Sequence, residues 1–162
     1  MKTLILGVGN ILQKDEGIGV RAVEVLEERF DISDDDVRII DGGTMGLDLL
    51  PFIEGYSNLL IIDAVKTGGE PGTIVRIEGD EVPRFLSTKL SVHQIGLPDM
   101  LSAAMMMGIL PEEVCLIGIQ PETIETGIEL SETVERRMDD IISAVLEKLE
   151  EWGVSSELRK VF

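Results

Sequence analysis

The sequence predicts an α/β fold with a mixed, mostly parallel five-stranded sheet and helices on both of its faces. Short apolar runs, which are typical of buried strands, alternate along the chain with amphipathic segments that have the period of a helix. Strands that are covered on both faces are continuous apolar runs, and three of the runs have this character. One connection between consecutive strands is too short for a crossover helix, so these two strands should run antiparallel.

Five stretches of the chain have the composition of strands. They are predicted at residues 3–8, 37–40, 59–63, 73–77 and 114–119. The short connection is the turn Gly-Gly-Glu-Pro-Gly at residues 68–72. It should join the third and fourth strands as an antiparallel hairpin.

Four amphipathic stretches are predicted to be helices, at residues 16–30, 47–53, 97–107 and 131–152. Ser131 should cap the last helix, and Gly108 and Gly153 should end the third and the fourth. Because no linker or repeat interrupts this pattern, residues 1–153 are expected to form one domain. Residues 154–162 are expected to be a frayed tail.

Composition and charge exclude several classes of protein. The 162 residues are 44% apolar and 28% charged, as in a globular domain, and their net charge of −17 disfavours binding to nucleic acid or an anionic membrane surface. No apolar run approaches the roughly 18–20 residues of a membrane span, and the first residues lack the pattern of a signal peptide. The single cysteine, Cys115, excludes an internal disulfide and fits a cytoplasmic protein.

Three residues that are far apart in sequence are expected to meet at one rim of the sheet. Asp63 ends the third apolar run, Glu16 lies in the turn after the first, and His93, the only histidine in the sequence, precedes the third helix. In open α/β sheets, ligands bind beyond the carboxyl ends of the strands. Two carboxylates and an imidazole at this edge would form a three-ligand site for a divalent metal.

The glycines after the first strand do not indicate a dinucleotide site. The third glycine of that fingerprint would fall at position 12, which is Leu12. Asp15 and Glu16 follow where the phosphate would lie, and their charges would repel it. The glycines are more consistent with a tight turn and the close approach of another chain segment.

Nucleophilic and zinc hydrolase motifs are absent from the sequence. There is no G-x-S-x-G, H-E-x-x-H or C-x-x-C pattern. Ser91 and His93 lie two residues apart but lack a third group to orient them. Cys115, between two apolar residues of a strand, is expected to be an inert buried thiol.

Five motifs, in the order in which they occur, resemble those of the [NiFe]-hydrogenase maturation proteases. They are Gly-Val-Gly-Asn-Ile-Leu-Gln-Lys-Asp-Glu-Gly-Ile-Gly-Val at residues 7–20, Asp-Gly-Gly-Thr with a further glycine at 41–46, Ile-Asp-Ala at 62–64, His-Gln-Ile-Gly with an aspartate and a leucine at 93–101, and Gly-Ile-Gln-Pro at 118–121. The first motif is long and rather specific. The other motifs are individually weak, but chance agreement of all of them in this order would be rare. The resemblance covers about residues 4–121, and the final helix fits by pattern only.

This resemblance implies a fold, an activity and a site. The family fold is a three-layer αβα sandwich with one antiparallel strand. Its members are endopeptidases that remove a C-terminal extension from the hydrogenase large-subunit precursor after nickel insertion. The nickel-recognising roles transfer to Glu16, Asp63 and His93, which are also the candidate catalytic residues. The backbone of Gly42, Gly43 and Thr44 is a candidate site for the substrate tail.

The chemistry of these residues leaves alternatives open. Imidazole and carboxylate suit nickel, supplied by the substrate, or another divalent metal. The metal would polarise a carbonyl or activate a water, or it would serve only as a recognition tag while Glu16 or Asp63 acts as general base. A chaperone that binds metal and precursor without cleaving, and a small-molecule hydrolase or nucleotide binder on the same fold, are the alternative functions.

Overall fold

The computed structural model describes residues 1–32, 35–88 and 96–160. In this part of the chain the strands are β1 (Thr3–Val8), β2 (Phe30–Asp31), β3 (Val37–Gly43), β4 (Asn58–Ala64), β5 (Ile74–Glu78), β6 (Glu113–Ile119) and β7 (Glu157–Leu158). The α-helices are α1 (Ile18–Arg29), α2 (Leu50–Ile53), α3 (Glu81–Thr88), α4 (Leu97–Met107), α5 (Glu132–Glu135) and α6 (Met138–Glu151). Two 3-10 turns, Lys14–Gly17 and Gly46–Leu49, precede α1 and α2. None of the helices described is both long and apolar enough to cross a membrane.

The five long strands form one sheet in the order β3-β1-β4-β6-β5. Within this sheet, as far as the chain is described, the pairs β1–β3, β1–β4 and β4–β6 are parallel and the β5–β6 pair alone is antiparallel. The mostly parallel sheet with one antiparallel strand is therefore confirmed. Because the carboxyl ends of four parallel strands meet at one edge, the turns that follow these strands form a common rim.

The predicted hairpin between the third and fourth strands is wrong in its pairing. β5 runs antiparallel, as expected, but its partner is β6, and β6 lies between β5 and β4. The turn at residues 68–72 therefore carries the chain past the position of β6 to the sheet edge. β6 later fills that position, parallel to β4. β6 therefore forms backbone hydrogen bonds with β4 on one side and with β5 on the other.

Two apolar cores, one on each face of the sheet, make the three-layer αβα sandwich. Alternate residues of each strand point to opposite faces. In β4, Leu60 and Ile62 pack with α1, α5 and α6, whereas Leu59 and Ile61 pack with α2, α3 and α4. All four are completely buried. Asp63 follows the second set in this alternation.

α1 approaches the sheet so closely that glycine is required at the contact. A Cβ atom on Gly19 would lie 2.1 Å from the carbonyl oxygen of Ile62 and 2.4 Å from that of Val8. A Cβ on Gly7 would lie 2.3 Å from the carbonyl oxygen of Gly19. These contacts bring the start of α1 directly against β4, close to Asp63.

Several helix boundaries differ from the sequence prediction. α1 begins at Ile18, because the preceding residues form a 3-10 turn. Ser131 caps only the short α5, where its Oγ accepts from the N–H of Val134 at 3.3 Å, and the helix is interrupted before α6. α3 was not predicted. Val154 is buried, and β7, within the segment predicted to be frayed, pairs antiparallel with β2. The domain boundary at residue 153 stays a prediction.

Candidate active site

Glu16 is held at the rim by a close backbone contact. It lies in the 3-10 turn Lys14–Gly17, and only 1% of its surface is exposed. A Cβ on Gly9 would lie 2.0 Å from the backbone oxygen of Glu16. Gly9 also has φ of 139°, which other residues rarely adopt, so this position needs glycine for two reasons. The close approach that the sequence predicts for these glycines is therefore present.

Asp63 is a completely buried carboxylate at the end of β4. Neither of its oxygens accepts a hydrogen bond of normal geometry within the described part of the chain. Burial raises the pKa of Asp63 well above its usual value, and the negative charge of Glu16 raises it further. The backbone N–H of Ala64 acts weakly in the opposite sense on this pKa. The two carboxylates are thus close enough to repel each other in a region from which water is excluded.

The second motif lies beside the first at the same rim. The N–H of Gly9 donates to the carbonyl oxygen of Gly43 at 2.9 Å, and the N–H of Gly43 donates to Asp41 Oδ1 at 2.9 Å. Gly42 is buried, Gly43 is partly exposed and Thr44 is exposed. A mostly apolar groove of about 270 Å³ lies here. Its lining residues are Gly9, Asn10, Ile11, Leu12, Val20, Asp41, Gly43 and Thr44.

His93 lies outside the described residues, so its place relative to the two carboxylates stays a prediction. The nearest described part of its motif is Gly96, which precedes α4 with φ of 119°. A Cβ on Gly96 would lie 2.9 Å from the Cα of Gly46. The second and fourth motifs are therefore in contact through two glycines. Within residues 1–32, 35–88 and 96–160, no three His, Cys, Asp or Glu residues gather as a metal site.

Comparison with known proteins decides the family. The family model HycI, described as hydrogenase maturation protease, matches residues 20–148 of the chain. The chain belongs to the hydrogenase maturation protease family. This membership confirms the family resemblance of the sequence motifs, and it places the protein among the peptidases.

Individual members of the hydrogenase maturation protease family match over nearly the whole chain. The Hydrogenase 2 maturation protease of Escherichia coli K12 is 45% identical over 157 residues, which are 96% of this chain and 95% of the relative. The hydrogenase expression/formation protein HupD of Rhizobium leguminosarum is 44% identical, over 98% of this chain and 79% of the relative.

Solved structures of this family share the fold. The hydrogenase maturating endopeptidase HybD from E. coli superposes with a TM-score of 0.92 at 44% identity and covers 98% of both chains. The [NiFe] hydrogenase maturation protease HybD from Thermococcus kodakarensis superposes with a TM-score of 0.76 at 31% identity, over 92% of this chain and 99% of that one. The predicted αβα fold with one antiparallel strand is thereby confirmed.

The sequence did not single out Asp15 as a site residue of this protease. Asp15 is completely buried, immediately before Glu16, and its carboxylate accepts hydrogen bonds from three residues of the loop between β6 and α5. No local pattern could have revealed this, because two of the three donors act only through their backbone N–H groups.

Replacing Glu16 should lower the pKa of Asp63. Glu16→Gln keeps the size of the side chain and removes one of the two causes that raise this pKa. We expect the Asp63 carboxyl to titrate at lower pH in this variant, as followed by carbon-13 NMR. Glu54→Gln, a change at an exposed position, is the control and should leave the titration unchanged. An equal or higher pKa in Glu16→Gln would show that the two carboxylates do not interact.

Cys115 should be unreactive in the native protease. Burial, and secondarily the charge of Glu78, raises the pKa of its thiol from 9.0 to about 11. The thiolate is the nucleophile, so labelling by an aromatic disulfide at pH 8 should be at least about 100-fold slower than in the chain unfolded by guanidinium. Rapid labelling of the folded protein would contradict the inert state predicted from the sequence.

Proposed function

We propose that this protein is the endopeptidase that removes the C-terminal extension from the large-subunit precursor of a [NiFe] hydrogenase after nickel insertion. The family and its named members support a protease of hydrogenase maturation. The relative from T. kodakarensis is named as acting in [NiFe] hydrogenase maturation. The single buried, reduced cysteine is consistent with action in the cytoplasm.

One observation carries the proposed recognition of nickel. Asp63 is buried with neither of its oxygens in a hydrogen bond of normal geometry among the described residues, and Glu16 is close enough to raise its pKa. Burying a carboxylate without a partner is costly, and burying a second one nearby adds repulsion. A divalent cation that reaches this pair would remove both costs. His93 would supply the third, nitrogen ligand, a combination that suits nickel.

The raised pKa of Asp63 links the binding of nickel to the protonation of this carboxyl. Without a cation, the site favours the protonated, uncharged carboxyl more strongly than water does. The nickel of the precursor is part of the substrate, and its charge would favour the ionised form. Binding of the substrate metal would then favour the release of a proton from Asp63.

Cleavage requires that the peptide bond and a water meet the ionised carboxylates. Nickel held between substrate and enzyme would fix the precursor at the rim. Glu16 or Asp63 would accept a proton from a water that attacks the scissile carbonyl, and would pass it to the peptide nitrogen, which leaves as an amine when the C–N bond breaks. In this mechanism the free enzyme needs no metal ion of its own.

The groove beside Gly43 is the proposed path of the substrate tail. Gly42, Gly43 and Thr44 lie on the same rim as Glu16, since the N–H of Gly9 joins the two turns. The groove is mostly apolar, whereas the protein as a whole has a net charge of −17. An extended apolar segment of the precursor would fit this surface better than an acidic one.

The mass of the precursor tests the proposed activity. A nickel-containing large-subunit precursor should lose one C-terminal fragment when it is incubated with the protein, and intact-mass spectrometry would identify the bond. The double variant Glu16→Gln/Asp63→Asn is the matched control and should leave the mass unchanged. Stable binding of the precursor by the wild-type protein without any shortening would instead indicate a chaperone.

A further inference from the structure

The carboxylate of Asp15 is bound by a single loop of the protein. Its Oδ2 accepts from the N–H of Glu122 at 2.9 Å, the N–H of Thr123 at 3.2 Å and the hydroxyl of Ser131 at 2.7 Å. Its Oδ1 accepts from the N–H of Ser131 at 2.7 Å. All of these donors lie in the loop 120–131, which joins β6 to α5. Asp15 is completely buried in this network.

The backbone of the turn is tied to the same loop. The N–H of Asp15 donates to the carbonyl oxygen of Thr123 at 3.1 Å, and the N–H of Lys14 donates to that of Gly127 at 2.9 Å. The N–H of Gly127 in turn donates to the carbonyl oxygen of Leu12 at 2.9 Å. Lys14 has φ of 46°, which residues other than glycine seldom adopt. Contacts with the loop therefore hold the turn in a conformation that it would not favour alone.

The same loop is connected to both carboxylates of the site. Glu16 follows Asp15 in the 3-10 turn, so the loop fixes the backbone from which the Glu16 side chain extends. The loop also continues from β6, in which Gly118 is the partner of Asp63 in the sheet register. The late motif at residues 118–121 thus leads from Asp63 to the donors that hold Asp15.

We infer that Asp15 is a positioning residue, which sets Glu16 relative to Asp63 through the loop 120–131. This inference rests on the proposed function, because it concerns the geometry of the proposed site. Displacing a catalytic group by about 1 Å can lower a rate by about 100-fold. The role differs from that of a merely structural buried aspartate, which would affect the folded fraction but not the rate of the folded enzyme.

The variant Asp15→Asn separates these two roles. Asparagine has one acceptor oxygen, and its NH₂ group would face at least one of the present donors. Asn58→Ala is the matched control, because it also removes a buried hydrogen bond, from Asn58 Nδ2 to Thr3 Oγ1 at 3.0 Å. That bond lies at the opposite end of the sheet, where β1 and β4 begin. Both variants are assayed on the nickel-containing precursor at a temperature at which thermal melts show them to be folded.

The expected result is a loss in kcat alone. Asp15→Asn should lower kcat by about 10–100-fold, the range seen when partners of functional ligands are removed, with KM within about twofold of wild type. Asn58→Ala should change neither by more than about twofold. Equal losses in the two variants, an unchanged kcat in Asp15→Asn, or a change in KM alone would overturn the inference.

A second variant decides the matter if Asp15→Asn does not fold. Ser131→Ala removes only one of the four bonds to the Asp15 carboxylate, so kcat should fall about two- to fivefold in the folded protein. A wild-type kcat in folded Ser131→Ala would then overturn the inference. A wild-type protein that leaves the precursor uncut contradicts the proposed function and the inference together, whereas wild-type cleavage with an unaffected Asp15→Asn contradicts the inference alone.

Discussion

The variant Asp63→Asn should be more stable than the wild type at pH 7 and should process the precursor about 10³-fold more slowly. The pKa of Asp63 is raised in the folded chain, chiefly by burial and then by the charge of Glu16. The folded state therefore binds the Asp63 proton more tightly than the unfolded state does. Between the unfolded pKa and the raised one, the unfolded state carries fewer protons, so the free energy of unfolding falls as the pH rises.

Asparagine does not titrate, so this loss of stability disappears in the variant. Each unit by which the pKa is raised is worth about 1.4 kcal/mol once the pH exceeds the folded pKa. A gain of 1 kcal/mol corresponds to about 2–4 °C in Tm for a chain of this size. The difference between variant and wild type should therefore grow as the pH rises from the unfolded pKa of aspartate, about 4, towards the raised folded pKa of Asp63. Circular-dichroism melts across this range are the measurement.

Asp80→Asn is the matched control for the effect of pH. Asp80 is exposed in the turn after β5, so its replacement should change neither the Tm profile nor the rate of processing. Lower stability of Asp63→Asn at pH 7, or processing at the wild-type rate, would contradict the assignment of Asp63. Together, the two readouts would show a residue that is retained for activity at the expense of stability.

Replacing His93 should also slow processing, by about 10³-fold. His93 is the only histidine in the sequence, and it begins the fourth of the family motifs. His93→Ala removes the proposed nitrogen ligand for nickel, and two carboxylates alone bind this borderline ion less well. Binding of the nickel-containing precursor, measured by calorimetry, should weaken along with the rate. The thermal melt should stay close to that of the wild type, because the sequence places His93 in a loop.

Ser91→Ala provides the control within the same segment. It lies two residues from His93 and has no proposed role, so the precursor should be processed at a rate close to that of the wild type. Full cleavage by a well-folded His93→Ala protein would remove His93 from the site. An equal loss in Ser91→Ala would show that the segment, rather than the imidazole, is what matters.

The parts of the fold that could be predicted are those in which the local pattern determines the structure. β1 and β4 are buried on both faces, so each is a continuous apolar run with nearly the predicted bounds, and β6, whose run is interrupted by Cys115, also has nearly the predicted bounds. The direction of β5 followed from the short turn before it. Its partner could not be predicted, because β6 enters the sheet only after residue 112 and nothing near β5 specifies it.

α3 was missed although a weak signal for it exists. Val82, Phe85 and Leu86 have helical spacing, and two of them are completely buried. Pro83 falls in the first turn of the helix, where proline is tolerated, but the sequence prediction assigned this stretch no structure. The interruption between α5 and α6 was missed because the apolar pattern of the two helices continues through it.

The candidate site, like the fold, has parts that could be predicted from the sequence and parts that could not. Asp63 and Glu16 could be proposed as site residues because strand ends and family motifs mark them, and the structure places both at one rim. The role of Asp15 depends on backbone N–H groups that lie more than 100 residues away, and such donors leave no side-chain pattern in the sequence. The raised pKa of Asp63 likewise depends on burial, which only the assembled fold defines.

The most direct test of nickel recognition is to compare nickel-containing and metal-free precursors of the same large subunit. The enzyme is first treated with a chelator and freed of it, and no metal is added. The proposed function predicts that the nickel-containing precursor is shortened at the untreated rate and that the metal-free precursor resists. Cleavage of both precursors at the same rate would contradict recognition of nickel by Glu16, Asp63 and His93. Activity that is lost on chelation and restored by zinc would instead indicate a metalloprotease with its own catalytic ion.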